Sequence, residues 1–345
     1  MKKLIFIVVL LFSMNAFSQI VEEPSPIKWY TIEQAMELNK KQARPLFIDF
    51  YTDWCGWCKR MMQTTFTNKE VVSFITNNFY PVRFDAETKD TIKFRDTVYV
   101  NNGQYGKAHS LAYKLLGGRL SYPTIVYIDR EGHPNPVPGF MKPEEIIPLL
   151  VFFSEDIYKN SNFKDFERYF KITFLPANAG IKVDSITSGK INWLSATEAF
   201  NQQKIKKKKI FVDVYTNMYI SNNVMDKAVF TNPTIASILN QYYYCVRIDA
   251  ASQDTVIAFG QTFVNGGKGQ FALHPFAATL MQGKIGFPTL AFIDEDGKLL
   301  NSIQGYTSPE YLEPILMYFY ENKYVTEKWE DFRKTFVGKI PKPKE

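Results

Sequence analysis

The chain has 345 residues, enough for two domains of about 150 each, and its 16% aromatic content (29 Phe, 20 Tyr) is ample for two packed cores. The net charge of +6 falls to +4 without Lys2 and Lys3, a mild excess that argues against a nucleic-acid partner. Three cysteines are too few for a disulfide scaffold in a chain of this size.

The chain opens with Met1-Lys2-Lys3, a continuous apolar stretch Leu4 to Phe12, and Ala16-Phe17-Ser18 before Gln19. This charged, apolar, small-residue order predicts a secretory signal peptide over residues 1–18, too short to span a bilayer. It points to an exported, periplasmic protein. Cysteine is absent just after the cleavage site, and no other uninterrupted apolar run reaches 18 residues. Neither a lipid anchor nor stable membrane insertion is therefore expected.

From there the pattern predicts an amphipathic helix, Ile32 to Asn39, then a buried strand, Leu46 to Tyr51. Helices Gly56 to Thr65 and Lys69 to Asn77 follow, and a strand, Pro81 to Asp85. Residues 87–108 are a polar, irregular insertion, with Asn101-Asn102-Gly103 predicted as the turn of a small hairpin. A helix near His109 to Leu116, a strand Thr124 to Asp129, a turn at Arg130-Glu131-Gly132 and a closing helix Lys142 to Phe152 complete the unit. The tail Phe163 to Phe170 reads as an extra amphipathic helix. Alternating strands and helices predict an α/β class with helices on both sheet faces, and the turn at 130–132 makes part of the sheet antiparallel.

The unit is written twice. At a shift of 164 to 166 residues, Leu46-Phe47-Ile48-Asp49-Phe50-Tyr51-Thr52 recurs as Ile210-Phe211-Val212-Asp213-Val214-Tyr215-Thr216. Val82-Arg83-Phe84-Asp85-Ala86 returns as Val246-Arg247-Ile248-Asp249-Ala250, Tyr122-Pro123-Thr124 as Phe287-Pro288-Thr289, and Gly139-Phe140 as Gly305-Tyr306. The insertion recurs at 251–273 and the tail helix at Trp329 to Phe336. The predicted organisation is therefore a signal peptide (1–18), a first domain (19–174), a linker (175–190) and a second domain (191–345). Lys206-Lys207-Lys208-Lys209, the one strong basic run, is predicted to be a solvated loop before a strand.

Chemistry concentrates in Trp54-Cys55-Gly56-Trp57-Cys58-Lys59. It joins a buried strand to a helix, so Cys55 meets unpaired N–H groups and the positive end of the helix dipole. That setting lowers a thiol pKa and favours a thiolate nucleophile. Cys58, one turn later, can attack a mixed disulfide on Cys55. A loop this short has no stapling value. Cys245 stands alone on an apolar strand and reads as a core thiol. Zinc is disfavoured, because the two close cysteines have only His109, His133 and His274 scattered elsewhere. His109 and His274 fall at equivalent repeat positions, one in a domain without the motif, which favours packing or capping over catalysis.

Together, Phe47-x-Asp49-Phe50, the Trp-Cys-x-x-Cys-Lys junction and the later Pro123-Thr124 resemble the thioredoxin superfamily, over about residues 44–152 of the first repeat and the counterpart in the second. The motif is similar to that of exported thioredoxin-like proteins and the C-terminal domain of the transmembrane thiol:disulfide interchange reductase. The resemblance implies two tandem thioredoxin-like domains, each a mixed central sheet flanked by helices. It implies that Cys55 attacks and Cys58 resolves, cycling through a Cys55–Cys58 disulfide. Pro123 matches the cis-proline beside the disulfide, and Tyr122 the residue whose backbone pairs with substrate. Asp49 matches the buried carboxyl that relays a proton to and from Cys58. Trp54, Gly56 and Trp57 form the substrate-binding rim. No dissociable cofactor is implied. The implied partners are protein disulfide or dithiol substrates and a membrane electron-transfer protein that resets the pair. Gly56-Trp57 replaces the Gly-Pro of the reducing relatives, so the direction of exchange stays open.

The second repeat carries Met218-Tyr219-Ile220-Ser221-Asn222 at the motif, so it cannot perform dithiol exchange. An alternative reading, a non-catalytic binding or chaperone-like module with a vestigial CxxC, draws on that loss.

Overall fold

The computed structural model describes residues 25–175, 188–267 and 272–341. The expected signal peptide, most of the expected linker and part of the second insertion lie outside the described residues. The first domain runs α1 (Ile32–Lys41), β1 (Leu46–Tyr51), α2 (Gly56–Thr64), α3 (Lys69–Asn78), β2 (Tyr80–Asp85), β3 (Ile92–Phe94), β4 (Thr97–Tyr99), α4 (Ser110–Leu115), β5 (Thr124–Ile128), β6 (Pro134–Pro138), α5 (Pro143–Ser154) and α6 (Phe163–Phe174). The second runs β7 (Trp193–Leu194), α7 (Ala196–Ile205), β8 (Lys209–Tyr215), α8 (Ile220–Val224), α9 (Pro233–Tyr242), β9 (Tyr243–Asp249), β10 (Val256–Ala258), β11 (Gln261–Phe263), α10 (Pro275–Met281), β12 (Thr289–Ile293), β13 (Leu299–Gln304), α11 (Pro309–Tyr320), α12 (Lys323–Thr326) and α13 (Trp329–Thr335).

The first sheet has the order β2-β1-β5-β6, with β1 parallel to β2 and antiparallel to β5. The second has the order β13-β12-β8-β9-β7. β1 is central and buried on both faces, which is why it reads as a continuous apolar run. Its odd residues face the layer of α2, α3 and α5, where Phe47 packs with Met61, Phe66 and Phe79; Ile48 and Phe50 face α1 and α4. The edge strand β6 carries Pro134, Pro136 and Pro138, residues that blunt a sheet edge against further pairing.

Two expectations are corrected. The small hairpin turns at Arg95-Asp96, between β3 and β4, and not at Asn101-Asn102-Gly103. The Asn101 side chain instead pins the insertion, donating to the carbonyls of Glu87, Thr88 and Lys107. The basic run is also not uniformly solvated. Lys209 opens β8 and is only 2% exposed; its Nζ meets Glu295 Oε1 at 2.6 Å and Asn322 Oδ1 at 2.9 Å. Partners brought in from distant turns make burial of that cation tolerable.

The two tail helices part ways. α13 packs on α11 of its own domain through Phe332 and Tyr318, whereas α6 joins the two domains. Its Phe166 ring meets Tyr306 edge-on at 5.2 Å, and Tyr169 Oη and Arg168 Nη1 reach Glu310 Oε1 at 2.7 and 3.2 Å. One apolar core therefore runs through both domains, from Phe47 by way of Phe166 to Phe211.

Candidate active site

Cys55 is the N-cap of α2, in an extended conformation that the short strand-to-helix connection imposes. Its Sγ accepts the Cys58 N–H at 3.0 Å, so the sulfur takes one of the helix's free donors. The two cysteines are disulfide-bonded, with Cα atoms 5.3 Å apart, and both sulfurs are largely sheltered. Around them the surface is aromatic: Trp54 is 65% and Trp57 61% exposed, an unusual display of indole. The Trp54 ring meets Tyr122 edge-on at 5.9 Å, and Trp57 lies against Phe140 at 5.4 Å. Tyr122-Pro123 is a cis peptide. The Trp54–Tyr122 contact thus brings the motif loop and the proline loop to one site. A Cβ on Gly56 would meet open space, so sterics do not demand glycine there.

Asp49 sits at the centre of β1 on the face that α2 covers, and is 1% exposed. Across the parallel register lies Arg83, whose Nε is 3.8 Å from Asp49 Oδ2 and whose guanidinium covers the Tyr51 ring. Burial pushes the Asp49 carboxyl up to about 7 against the pull of Arg83. Asp213 in the second domain is raised to about 7 in the same way, with Arg247 at 3.2 Å. A folded state that holds a proton more tightly than the unfolded chain loses stability as pH rises between the two pKa values, here from about 4 to about 7. Asp49→Asn is therefore expected to stabilise the protein at pH 8, by on the order of 4 kcal/mol, with the gain vanishing as the pH falls towards 4. Thermal unfolding at both pH values checks this; an equal effect at pH 8 and pH 4 refutes it.

His109 and His274 are helix caps. His109 caps α4, its Nδ1 accepting the Leu111 N–H at 3.2 Å while Nε2 meets the Asp90 carbonyl at 3.1 Å; His274 repeats this at Phe276 and Asp254. Both rings tie the insertions to the helices that follow them. Burial pushes the Cys245 thiol up to about 12 and leaves it inert.

At the matching place in the second domain, the first N–H groups of α8 find an anion from the other domain. Ile220 and Ser221 donate to the two carboxylate oxygens of Glu155 at 2.7 and 2.9 Å. Burial pushes Glu155 up to about 7 against those bonds. Beside it lies a cavity of about 670 Å³ between the domains, lined by Arg44, Arg130 and Glu155 on one side and Met218, Tyr219 and Phe287 on the other.

Four residues around these sites escaped sequence reasoning: Arg83, Glu87, Phe140 and Glu155. Arg83 and Phe140 had a signal, since each lies in a block that recurs in both repeats. Glu87 accepts a hydrogen bond from Trp54 Nε1 at 3.2 Å, a pairing 33 residues apart with no local signal. Glu155 had none either.

The family model of the thioredoxin-like domain matches residues 32–154 and again 196–320. The chain belongs to the thioredoxin-like family. Over 127 residues it is 29% identical to the thiol:disulfide interchange protein DsbD of Salmonella typhi, covering 35% of this chain and 19% of that protein. Over 77 residues it is 30% identical to spermatogenesis-associated protein 20 of Rattus norvegicus, covering 22% of this chain and 9% of that protein. The chain thus spans less than a fifth of the length of either curated relative. Among solved structures it is similar to the reduced C-terminal domain of DsbD from Neisseria meningitidis, at 22% identity and a TM-score of 0.26, over 35% of this chain and 93% of that one. This thioredoxin-like chain carries a disulfide-bonded, CxxC-spaced pair in its first domain and none in its second. Among the described residues, no helix is long and apolar enough to cross a membrane.

Proposed function

We propose that this thioredoxin-like protein is an exported, periplasmic thiol–disulfide oxidoreductase acting on protein substrates through Cys55 and Cys58, with a non-catalytic second domain. The observation that carries the reading is Cys55 at the head of α2, its sulfur aligned on the Cys58 N–H and framed by exposed Trp54 and Trp57. A helix N-terminus stabilises the thiolate that reduction of the pair releases.

In the reducing direction, the Cys55 thiolate attacks one sulfur of a substrate disulfide. A mixed disulfide forms and a substrate thiolate leaves, taking up a proton. The Cys58 thiol then loses its proton, and Asp49, on the sheet face that α2 covers, is the group that accepts it. Its sulfur attacks Cys55 Sγ, closing the Cys55–Cys58 disulfide and expelling the second substrate thiolate. Two electrons pass from enzyme dithiol to substrate. A dithiol protein, in this reading membrane-borne, returns them. The reverse sequence oxidises a substrate dithiol. Tyr122 and Pro123 supply the backbone edge for the substrate chain, and Trp54, Gly56 and Trp57 the rim.

Cys58→Ser removes the resolving thiol. It is expected to accumulate disulfide-linked adducts through Cys55 in extracts of exported proteins, released by dithiothreitol and absent from the Cys55→Ser/Cys58→Ser protein. A Cys58→Ser protein that traps nothing refutes the reading. Direction follows from equilibration with glutathione: a potential near about −270 mV marks a reductant and one near about −120 mV an oxidant.

A further inference from the structure

Trp54 is the more exposed of the two indoles beside the disulfide, and two contacts hold it. Its ring rests edge-on against Tyr122, and its Nε1–H donates to Glu87 Oε1 at 3.2 Å. Glu87 is itself held by its backbone. Its N–H donates to Asp85 Oδ1 at 3.0 Å, and its carbonyl accepts from Asn101 Nδ2 at 3.2 Å. The carboxylate is therefore presented at the rim from a fixed position. Among the described residues Glu87 forms no salt bridge; Trp54 is its side-chain partner. Burial, and then the Glu87 and Asp85 charges, push the Tyr122 phenol up to about 12, so this negative charge is felt at the wall formed by the proline loop.

The chain contains a comparison. In the second domain Trp54 is replaced by Met218, Glu87 by Ala251 and Asp53 by Asn217, while Asp85 persists as Asp249. The domain without the CxxC pair thus lacks the indole, its carboxylate partner and the neighbouring exposed acid.

We propose that Glu87 determines substrate specificity at the Cys55–Cys58 site: it positions Trp54 against Tyr122, and its free charge selects substrates bearing Lys or Arg beside the attacked disulfide. The proposal rests on the exchange activity proposed above. Positioning needs only a hydrogen-bond acceptor, whereas selection needs the charge, so the two roles separate by substitution. An exposed carboxylate facing a cation gains a modest, salt-screened attraction, which amounts to a severalfold change in rate constant.

The test uses the reduced full-length protein in single turnover with two disulfide-bonded peptides that differ only in Lys or Glu after the reacting cysteine. Bis(2-hydroxyethyl) disulfide, which is small and uncharged, reports exchange itself. Wild type is expected to react about three- to tenfold faster with the Lys peptide at low salt, with the ratio falling towards one at 0.5 M NaCl. Glu87→Gln is expected to lower that ratio, and Glu87→Lys to invert it. Glu87→Ala is expected to change the Trp54 fluorescence, and Glu87→Gln to restore the wild-type signal. Equal rates with the two peptides, or a ratio unmoved by Glu87→Lys, overturn the charge selection. Fluorescence identical in Glu87→Ala and wild type overturns the positioning. A wild-type protein inert towards bis(2-hydroxyethyl) disulfide overturns instead the exchange activity on which the proposal rests.

Discussion

Cys55→Ser is expected to abolish disulfide exchange, with the rate falling by at least about three orders of magnitude, because a hydroxyl at neutral pH offers no anion to attack sulfur. The fold should survive the change. Position 55 is the N-cap of α2, and serine is among the best N-cap residues, so its Oγ can accept the Cys58 N–H as the sulfur now does. The second domain supports the same point, since it builds the matching central strands and a helix after them with Tyr219 and Asn222 at the two positions. Wild-type and Cys55→Ser proteins should therefore differ sharply in reduction of bis(2-hydroxyethyl) disulfide and little in far-UV circular dichroism. Residual exchange within tenfold of wild type would place the chemistry elsewhere. Outside the motif the one other cysteine, Cys245, is a poor candidate, being buried with its thiol pushed up to about 12.

Phe166→Ala is expected to destabilise the protein by about 3–5 kcal/mol, the usual cost of emptying a buried phenylalanine site. It should also uncouple the two domains. Phe166 is fully buried in α6 and packs at once on Phe152 and Phe170 of the first domain and Tyr306 of the second. Truncation opens a cavity in the seam, not within either sheet. Calorimetry should then resolve two transitions, the lower well beneath the wild-type midpoint, and protease should cut between the domains sooner. A single transition at the wild-type temperature would mean that the seam contributes nothing to folding. Because α6 follows directly from the domain that carries the thiols, the tandem arrangement is a structural unit and more than two domains on a string.

Several features were open to inspection of the residues alone because they depend on near neighbours. The apolar run Leu46 to Tyr51 has no choice but a buried strand. Cys55, following that strand and preceding a helical stretch, has no choice but the cap. The two-residue period of a strand puts Asp49 on one face with Phe47 and Tyr51, and the resemblance alone implied that this face lies beneath the motif. The duplication was visible because each of these local patterns occurs twice, and the family model matches over both copies.

What the tertiary structure decided are choices among distant partners. The insertion contains two plausible turns, and packing placed the reversal at Arg95-Asp96 while Asn101 was drawn into bonds with three carbonyls. Lys209 looked like one of four solvated lysines until Glu295 and Asn322 arrived from the far end of the domain. The tail helices share their pattern, yet α6 joins the domains and α13 does not, because only α6 faces Tyr306 and Glu310. Trp54 finds Glu87 across 33 residues, and α8 finds Glu155 across 65. Periodicity and capping are written into segments of a few residues, so the sequence by itself determined the fold class, the duplication and the thiol pair at a helix cap. Which side chains meet across loops depends on the whole chain closing, and only the tertiary structure decided the pairing of Glu87 with Trp54 at the rim of one cleft and the cross-domain carboxylate in the other.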